Sequence, residues 1–240
     1  MTNRLRELTA AGLGAVFAIG LQAAHAADLA VKAPVKAPSV PYSWTGCYAG
    51  GFVGFGAAND WKVTDLNGFN PGGGNPFDFT VGDQATGGGT LGCNYQVASW
   101  LVVGLEGEGG YLNVAGNVQQ PLAGAVADAA KIGAGYGLIA GRAGVAFDRL
   151  LIYGKVGVAF YDTSATITAG NLIAAGSRSQ SPLALGLGGE YAIYDHWSGK
   201  AEYVYFDRGS SFDVCANPGT CWRQDPSPVH TFKVGLNYKW

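Results

Sequence analysis

The stretch that decides the fold is the last eleven residues of the chain, HTFKVGLNYKW, at positions 230–240. Its apolar side chains recur at every second position, and polar residues or glycine stand between them. The apolar row consists of Phe232, Val234, Leu236, Tyr238 and Trp240. Because successive side chains of a strand point to opposite faces of a sheet, this period of two predicts a β-strand with one apolar face and one polar face.

The same alternation recurs in earlier parts of the chain. Five segments show it clearly, at residues 100–111, 139–147, 150–160, 183–193 and 197–206. Two glycine-interrupted segments, 45–56 and 88–99, show it more weakly. Together with the last strand, these segments predict eight strands.

The connections between these segments alternate in length. Short turns are predicted at residues 98–100, 148–149 and 194–196, and long connections at about 57–86, 115–131, 162–182 and 208–229. Short turns at one end and long loops at the other are typical of a bacterial outer-membrane barrel. An even number of strands places both termini at the short-turn end, which we expect to face the periplasm.

Charged residues decide between a membrane barrel and a water-soluble one. Eight of them lie on the strand faces opposite the apolar rows: Glu106, Glu108, Arg142, Lys155, Glu190, Lys200, Glu202 and Lys233. A soluble barrel would turn its apolar face inward, and a lone charge inside it would be strongly destabilising. In a narrow polar lumen, four acids and four bases can pair with one another while the apolar rows face lipid.

The sequence therefore predicts an all-β fold, an eight-stranded antiparallel up-and-down transmembrane barrel with a cluster of ion pairs in its lumen. An aromatic girdle is expected near the strand ends. Its predicted members are Trp44, Tyr48, Trp100, Tyr194, Trp197 and Trp240.

Composition excludes several other classes of protein. Charged residues make up 13% of the chain, against about 25% in an ordinary soluble domain. A formal net charge of −2 offers no basic face for nucleic acid. An apolar content of 48% excludes wholesale disorder.

The N-terminus predicts export and division into three parts. Arg4 and Arg6 precede an apolar stretch at residues 8–21, and Ala24-His25-Ala26 follows as a cleavage site. The apolar stretch is shorter than the ~20 residues that a membrane-spanning helix needs. We therefore expect a secretory signal peptide at residues 1–26, a periplasmic spacer rich in Pro, Ala and Lys at 27–43, and the barrel at 44–240.

Several stretches carry a resemblance to a known family. They are YSWTGCYAGGFVGFG at 42–56, WLVVGLEGEGGY at 100–111, WSGKAEYVYFDRG at 197–209 and HTFKVGLNYKW at 230–240. The chain resembles the alphaproteobacterial small outer-membrane barrels, which include porin-like major surface antigens within the OmpA/opacity-type group. The resemblance implies that the C-terminal apolar row is the signal read by the outer-membrane assembly machinery. Many members end in Phe, so Trp240 is a mild departure.

The four cysteines form two possible pairs. Cys215 and Cys221 lie in the last long connection, and export to an oxidising compartment predicts a disulfide between them. Cys47 and Cys93 fall on neighbouring predicted strands, where they either oppose each other or both face lipid. The sequence does not fix their register, so this second pair stays open. No histidine lies near either pair at a ligand spacing, so we predict no metal site.

Catalysis is not expected. Asp225, Ser227 and His230 contain the residue types of a hydrolytic triad, but a proline-interrupted loop gives no reason for them to converge. The glycine runs lack the helix and the Lys-Ser/Thr ending of a phosphate-binding loop. We predict no enzyme activity and no cofactor.

These features favour an outer-membrane protein with a structural role, which stabilises the envelope. It is also expected to be exposed at the cell surface, as a surface antigen is. One alternative is a small-solute pore, with Arg142 and Lys155 as selectivity residues. Another is an adhesin or receptor that acts through its long loops. The expected partners are outer-membrane lipid and the assembly machinery, without nucleic acid, and the sequence leaves the oligomeric state open.

Overall fold

The computed structural model describes residues 41–58, 60–67, 77–79, 82, 84–112, 114–120, 126–169, 172–217 and 219–240. The predicted signal peptide and residues 27–40 of the predicted spacer lie outside these ranges. The described residues form fourteen strands: β1 Gly46–Ala58, β2 Trp61–Asp65, β3 Phe77–Phe79, β4 Gln84–Ala98, β5 Leu101–Leu112, β6 Val114–Gln120, β7 Val126–Phe147, β8 Leu150–Ala169, β9 Leu172–Gln180, β10 Leu183–Ala192, β11 Trp197–Phe206, β12 Phe212–Asn217, β13 Thr220–Asp225 and β14 Val229–Lys239. No helix in this part of the chain is both long enough and apolar enough to cross a membrane.

Eight strands close into an antiparallel barrel, which confirms the predicted fold. The order around the wall is β1, β4, β5, β7, β8, β10, β11 and β14. The last strand, β14, pairs with β1 and closes the sheet, with Val53 opposite Val234. Closure leaves every wall strand with a partner on both sides, so the barrel itself has no free edge.

The two ends of the barrel differ. At one end, which we call the turn end, short turns join β4 to β5, β7 to β8 and β10 to β11. At the opposite end, which we call the loop end, the long connections contain strands that the alternation did not predict. Strands β7 and β8 also run well beyond their predicted limits of 139–147 and 150–160. The pattern is weak there because small residues such as Ser164, Ala165 and Thr166 occupy both faces, although only Ala165 is buried.

The loop-end strands form a folded head. Strands β6 and β9 pair with the extended parts of β7 and β8, and β12, β13, β2 and β3 form a second sheet. Gly176 on β9 lies beneath Val214 on β12, where an added Cβ would be 3.1 Å from the valine side chain. Trp61, Trp222 and Val214 belong to the same buried cluster as Ile132 and Ile167 of the extended strands. The two sheets therefore share one apolar core.

The barrel wall has its apolar side chains on the outside. Leu105 and Leu187 are 70% and 68% exposed. The predicted C-terminal row also faces outward, from Phe232 at 59% to Trp240 at 64% exposed. Glu106, Glu190 and Lys233, which lie on the same strands, are buried inside the barrel. A water-soluble barrel would have the reverse arrangement, with apolar side chains inside and charged side chains outside.

The aromatic girdle is only partly as predicted. Four of its members are outward and exposed: Trp100, Tyr194, Trp197 and Trp240. The assignments of Trp44 and Tyr48 are wrong, since both are buried, at 2% and 3% exposed. Tyr48 falls on the inward-facing positions of β1, whose outward positions include Val53 and Phe55. Trp44 precedes β1 and lies in the turn-end mouth of the barrel.

Candidate functional site

The lumen contains all eight predicted charged residues, and none of them is more than 6% exposed. They project inward from β5, β7, β8, β10, β11 and β14. The alternation places them there, because each lies an odd number of positions from the outward apolar side chains of its own strand. The structure brings the eight together as one connected group, which we call the lumen charge cluster.

Lys155 lies at the centre of the lumen charge cluster. Its Nζ is 2.6 Å from Glu202 Oε1, 3.0 Å from Glu106 Oε1 and 3.4 Å from Glu108 Oε2. Oxygens of these three carboxylates lie within 4.8 Å of one another, a spacing that can hold a metal ion. The Lys155 ammonium group contacts all three, so it takes the position that a cation would have.

The remaining cations extend the cluster across the barrel. Lys200 Nζ lies 3.4 Å from Glu106 Oε2. Lys233 Nζ contacts Glu108 Oε1 and lies 3.5 Å from Glu202 Oε1. Since β5 and β11 are on opposite sides of the wall, the ion pair between Lys200 and Glu106 spans the lumen. The cluster links facing strands, not only neighbouring ones.

Arg142 joins two carboxylates and an aromatic ring. One guanidinium nitrogen lies 2.8 Å from Glu190 Oε2, and the other lies 3.4 Å from Glu106 Oε2. Its guanidinium carbon is 3.8 Å from the centroid of the Tyr153 ring. Arginine combines a planar fork for carboxylates with a face that stacks on aromatic rings, so this position suits it better than lysine.

Neutral donors complete the cluster, and sequence reasoning predicted none of them as partners of the carboxylates. Tyr48 donates to Glu106 at 2.6 Å, Tyr153 donates to Glu202 at 2.9 Å, and Tyr136 donates to Glu108. Glu190 accepts hydrogen bonds from Ser198 and Asn237. The period of two in the sequence could have found these donors, because each of them occupies an inward position of its strand.

Two inward glycines make room for the tyrosine rings. A Cβ on Gly92 would lie 2.5 Å from the Tyr48 ring, and a Cβ on Gly188 would lie 2.7 Å from the Tyr153 ring. A Cβ atom is not found this close to another non-bonded heavy atom in real proteins. Each tyrosine ring therefore occupies space that is free only because the facing residue is glycine. The glycines therefore allow the phenol groups to reach the carboxylates.

Toward the loop end the lumen is apolar. Leu112, Leu138, Phe206 and Val229 face inward and are at most 2% exposed. They continue into the core of the head, where Trp61 is fully buried. We call this region the apolar plug. Sequence analysis predicted a polar lumen and missed the plug, because the strands that complete it lie in the head.

Residues 42–44 cross the turn-end mouth and form what we call the turn-end lid. The Trp44 ring packs in a buried cluster with Val102, Leu151 and Tyr153. Its Nε1 donates to the Asp148 carbonyl at 2.9 Å, and its backbone N–H donates to Gln96 Oε1 at 3.0 Å. Because these contacts join the lid to β4 and to the β7–β8 turn, Trp44 closes this end of the lumen.

Both cysteine pairs are bonded. The predicted Cys215–Cys221 disulfide is confirmed, and it links β12 to β13 in the head. Cys47 and Cys93 also form a disulfide. They oppose each other in the register of β1 and β4, and both lie on outward positions. The sequence left open whether these two cysteines oppose each other or both face outward, and in the structure both are true.

The residues considered for a triad have other partners. Ser227 Oγ donates to the Asp60 carbonyl, and Asp225 accepts from the Ser211 hydroxyl. His230 Nδ1 lies 2.6 Å from the Tyr203 hydroxyl, on the outer wall. The structure does not join these three side chains into a nucleophile, base and orienting carboxylate.

A closed barrel with an apolar outer wall and a charged interior defines an integral membrane protein that crosses the bilayer with strands. Residues 12–239 match the family described as the outer membrane protein beta-barrel domain, and the chain belongs to that family. The protein is therefore located in the outer membrane of a Gram-negative cell.

Individual relatives agree with this class. The chain is 29% identical to the 31 kDa outer-membrane immunogenic protein of Brucella melitensis and of Brucella suis, over 98% of this chain and 100% of the relative. The solved outer membrane protein OprG from Pseudomonas aeruginosa matches with a TM-score of 0.51 and 14% identity, over 83% of this chain and 99% of OprG. The outer membrane protease OmpT from Escherichia coli matches at a TM-score of 0.45 and 9% identity, over 85% of this chain and 99% of OmpT, which is too distant to bear on activity.

Proposed function

We propose that this protein is a structural barrel that stabilises the outer membrane and does not conduct solutes. The observation that carries the proposal is closure of the lumen at three levels. The turn-end lid fills one mouth, the lumen charge cluster crosses the middle, and the apolar plug fills the loop end.

The lid, the charge cluster and the plug each exclude a continuous column of water in a different way. An eight-stranded barrel is only wide enough for side chains to fill its interior. Ion pairs and phenol donors engage the members of the charge cluster with one another across the middle of the lumen. Buried apolar side chains such as Leu112, Leu138 and Phe206 fill the loop end, and the Trp44 ring takes the space at the turn end.

The proposal includes an orientation of the barrel in the membrane. We place the turn end and both termini in the periplasm and the head outside the cell. The predicted export signal and spacer precede the turn end, and an antiparallel barrel with a folded head at one side presents that head as its most accessible surface. The head would then be the part that antibodies reach, which is the antigen-like role expected from the sequence.

A small-solute pore is the rival function. It would require the lid, the charge cluster and the plug to leave a continuous water path. Liposomes that contain the refolded mature barrel test it by swelling in isotonic solutions of small sugars. Swelling no faster than in protein-free liposomes supports the structural role, and size-dependent swelling would show a pore.

The head favours one second candidate function, adhesion. Its disulfide-closed β12–β13 hairpin is a defined surface at the loop end. Replacing residues 215–221 by a short Gly-Ser turn removes the hairpin tip without touching the wall. If the protein is an adhesin, this variant loses binding to host cells while it keeps the heat-dependent gel mobility of a folded barrel.

The proposal also includes the absence of catalysis. Its support is that Ser227, Asp225 and His230 are bound to three separate partners. Hydrolysis of ester and peptide substrates by the refolded protein should equal that of the Ser227→Ala variant. A serine-dependent rate would contradict this part of the proposal.

A further inference from the structure

The Cys47–Cys93 disulfide lies on the outer surface of the barrel wall. On β4, Cys93 stands between the outward residues Leu91 and Tyr95, which are 65% and 64% exposed. On the neighbouring strand β5, its partner in the register is Leu105. The disulfide therefore lies on the outward face of the wall near the turn end, where the Cys47 carbonyl accepts a hydrogen bond from the Trp240 backbone N–H.

This position limits when the bond can form. Disulfides form when a thiolate attacks another disulfide, and the rate depends on access to the sulfur and on its thiolate form. Lipid disfavours the charged thiolate and excludes water-soluble oxidants. Once β1 and β4 are in the bilayer, both conditions for the reaction are less favourable.

The same two strands need help to fix their register. A glycine stands on at least one side of eight of the eleven residue pairs between β1 and β4, as in Gly51 opposite Gly89 and Val53 opposite Gly87. The two large inward side chains of β1, Tyr48 and Phe52, also face glycines. Glycine-rich strands specify their pairing weakly, because they have few side chains to interlock. A slip of two residues would keep every side chain on its correct face, so burial alone would not prevent it.

A cross-strand disulfide removes this ambiguity. Cys47 and Cys93 are direct partners in the native register, and a slip of two residues moves their Cα atoms apart by about 6–7 Å along the strand. Combined with the spacing between paired strands, this displacement gives a Cα–Cα distance of about 7–8 Å, which is beyond the usual reach of a disulfide. The bond therefore selects one register from those that the glycines tolerate.

We propose that Cys47 and Cys93 are the substrate of a periplasmic dithiol–disulfide oxidant, and that their oxidation precedes insertion and sets the register of the first two wall strands. One chain thiolate attacks the oxidant's disulfide and forms a mixed disulfide. The second chain thiolate displaces the oxidant, which leaves as a dithiol. Two electrons and two protons pass from the chain to the oxidant, and the chain gains one S–S bond.

The loop-end disulfide provides an internal control. Cys215 and Cys221 lie in the head, outside the barrel wall, and six positions separate them in sequence. Water reaches this hairpin after insertion as well as before. Its oxidation therefore has no required order relative to insertion. The wall pair, whose cysteines are 46 positions apart in sequence, differs in this respect.

The test uses two double variants of the mature chain. Cys215→Ser/Cys221→Ser keeps only the wall pair, and Cys47→Ser/Cys93→Ser keeps only the head pair. Each is refolded in reduced form into phospholipid vesicles, treated with oxidised glutathione, and sampled by thiol-reactive gel shift. In urea without vesicles, both pairs should oxidise, which shows that each pair is chemically competent.

In vesicles we expect the head pair to oxidise and the wall pair to do so more than about tenfold more slowly, because access controls thiol reactivity. Comparable rates for the two pairs in the inserted barrel would overturn the order of events. Register is tested separately with Cys215→Ser/Cys221→Ser, refolded either oxidised or reduced. A several-fold larger heat-modifiable fraction from the oxidised chain is expected, and equal fractions would overturn the role in register.

Discussion

Arg142 on β7 and Glu190 on β10 form an ion pair of 2.8 Å across the barrel interior, although β8 lies between their strands in the wall. The Glu190 carboxylate also accepts hydrogen bonds from Ser198 on β11 and Asn237 on β14. One carboxylate therefore gathers donors from three other strands. Interactions of this kind make the lumen a cross-link between strands that share no backbone hydrogen bonds.

Removing one member of the lumen charge cluster should destabilise the barrel. In Arg142→Met, Glu106 and Glu190 lose their shared cation while they remain buried. Breaking a buried pair in this way costs about 3–5 kcal/mol. The loss is measured as a lower urea midpoint for the folded form of the protein in vesicles.

Two further variants control that experiment. Arg223→Met removes the exposed ion pair with Asp213 in the head, where salt bridges contribute little, and should leave the midpoint unchanged. Arg142→Met combined with Glu190→Gln should recover part of the loss, because one uncompensated charge is also removed. An Arg142→Met barrel as stable as the unmodified protein would mean that the cluster is not a stabilising cross-link.

The outward face of β14 should reject a cation. Val234 and Leu236 are 51% and 53% exposed on the wall, and arginine near the bilayer midplane costs roughly 2–4 kcal/mol. Val234→Arg and Leu236→Arg should each reduce the fraction of chain that inserts into vesicles, as measured by heat-dependent gel mobility. Thr166→Arg, on the exposed surface of the head, is the matched control and should insert normally. Normal insertion of both β14 variants would contradict the assignment of this face to lipid.

Inward and outward glycines should differ in their tolerance of alanine. In Gly92→Ala the new methyl group would collide with the Tyr48 ring and with the Leu105 carbonyl, both closer than 3 Å. Overpacking of this kind typically costs 1–3 kcal/mol, so the urea midpoint should fall. The control is Gly109→Ala on β5, where an added Cβ meets nothing within 4 Å. Equal midpoints for the two variants would show that Tyr48 can move without loss.

The barrel could be predicted from sequence because a period of two survives in every wall strand. The same parity placed the eight charges inside, and the lumen charge cluster followed from it. Tyr48 was missed because tyrosine near a strand end suits the girdle as well as the lumen. Trp44 lies outside any strand, so its position depends on Gln96 and Asp148, which periodicity does not connect to it. The extended parts of β7 and β8 were missed because they have small residues on both faces. Strands β2, β3, β12 and β13 were missed because each is only three to six residues long.

Trp240 provides a prediction about assembly rather than stability. We propose that the outward row from Phe232 to Trp240 is recognised by the assembly machinery. Deleting Trp240 should slow the appearance of folded barrel in cells more than it slows refolding in detergent, because only the cellular route uses recognition. Equal effects in the two settings would indicate a packing role alone.

Closure of the lumen is tested most directly by the conductance of the purified, refolded barrel in planar bilayers. Folding would first be verified by heat-dependent gel mobility. We expect no current steps above the lipid background, either for the unmodified protein or for Trp44→Ala, because the lumen charge cluster and the apolar plug remain after the lid is removed. Reproducible steps whose size changes on substitution of Arg142 or Lys155 would show that water and ions pass through the lumen, and would contradict the structural role.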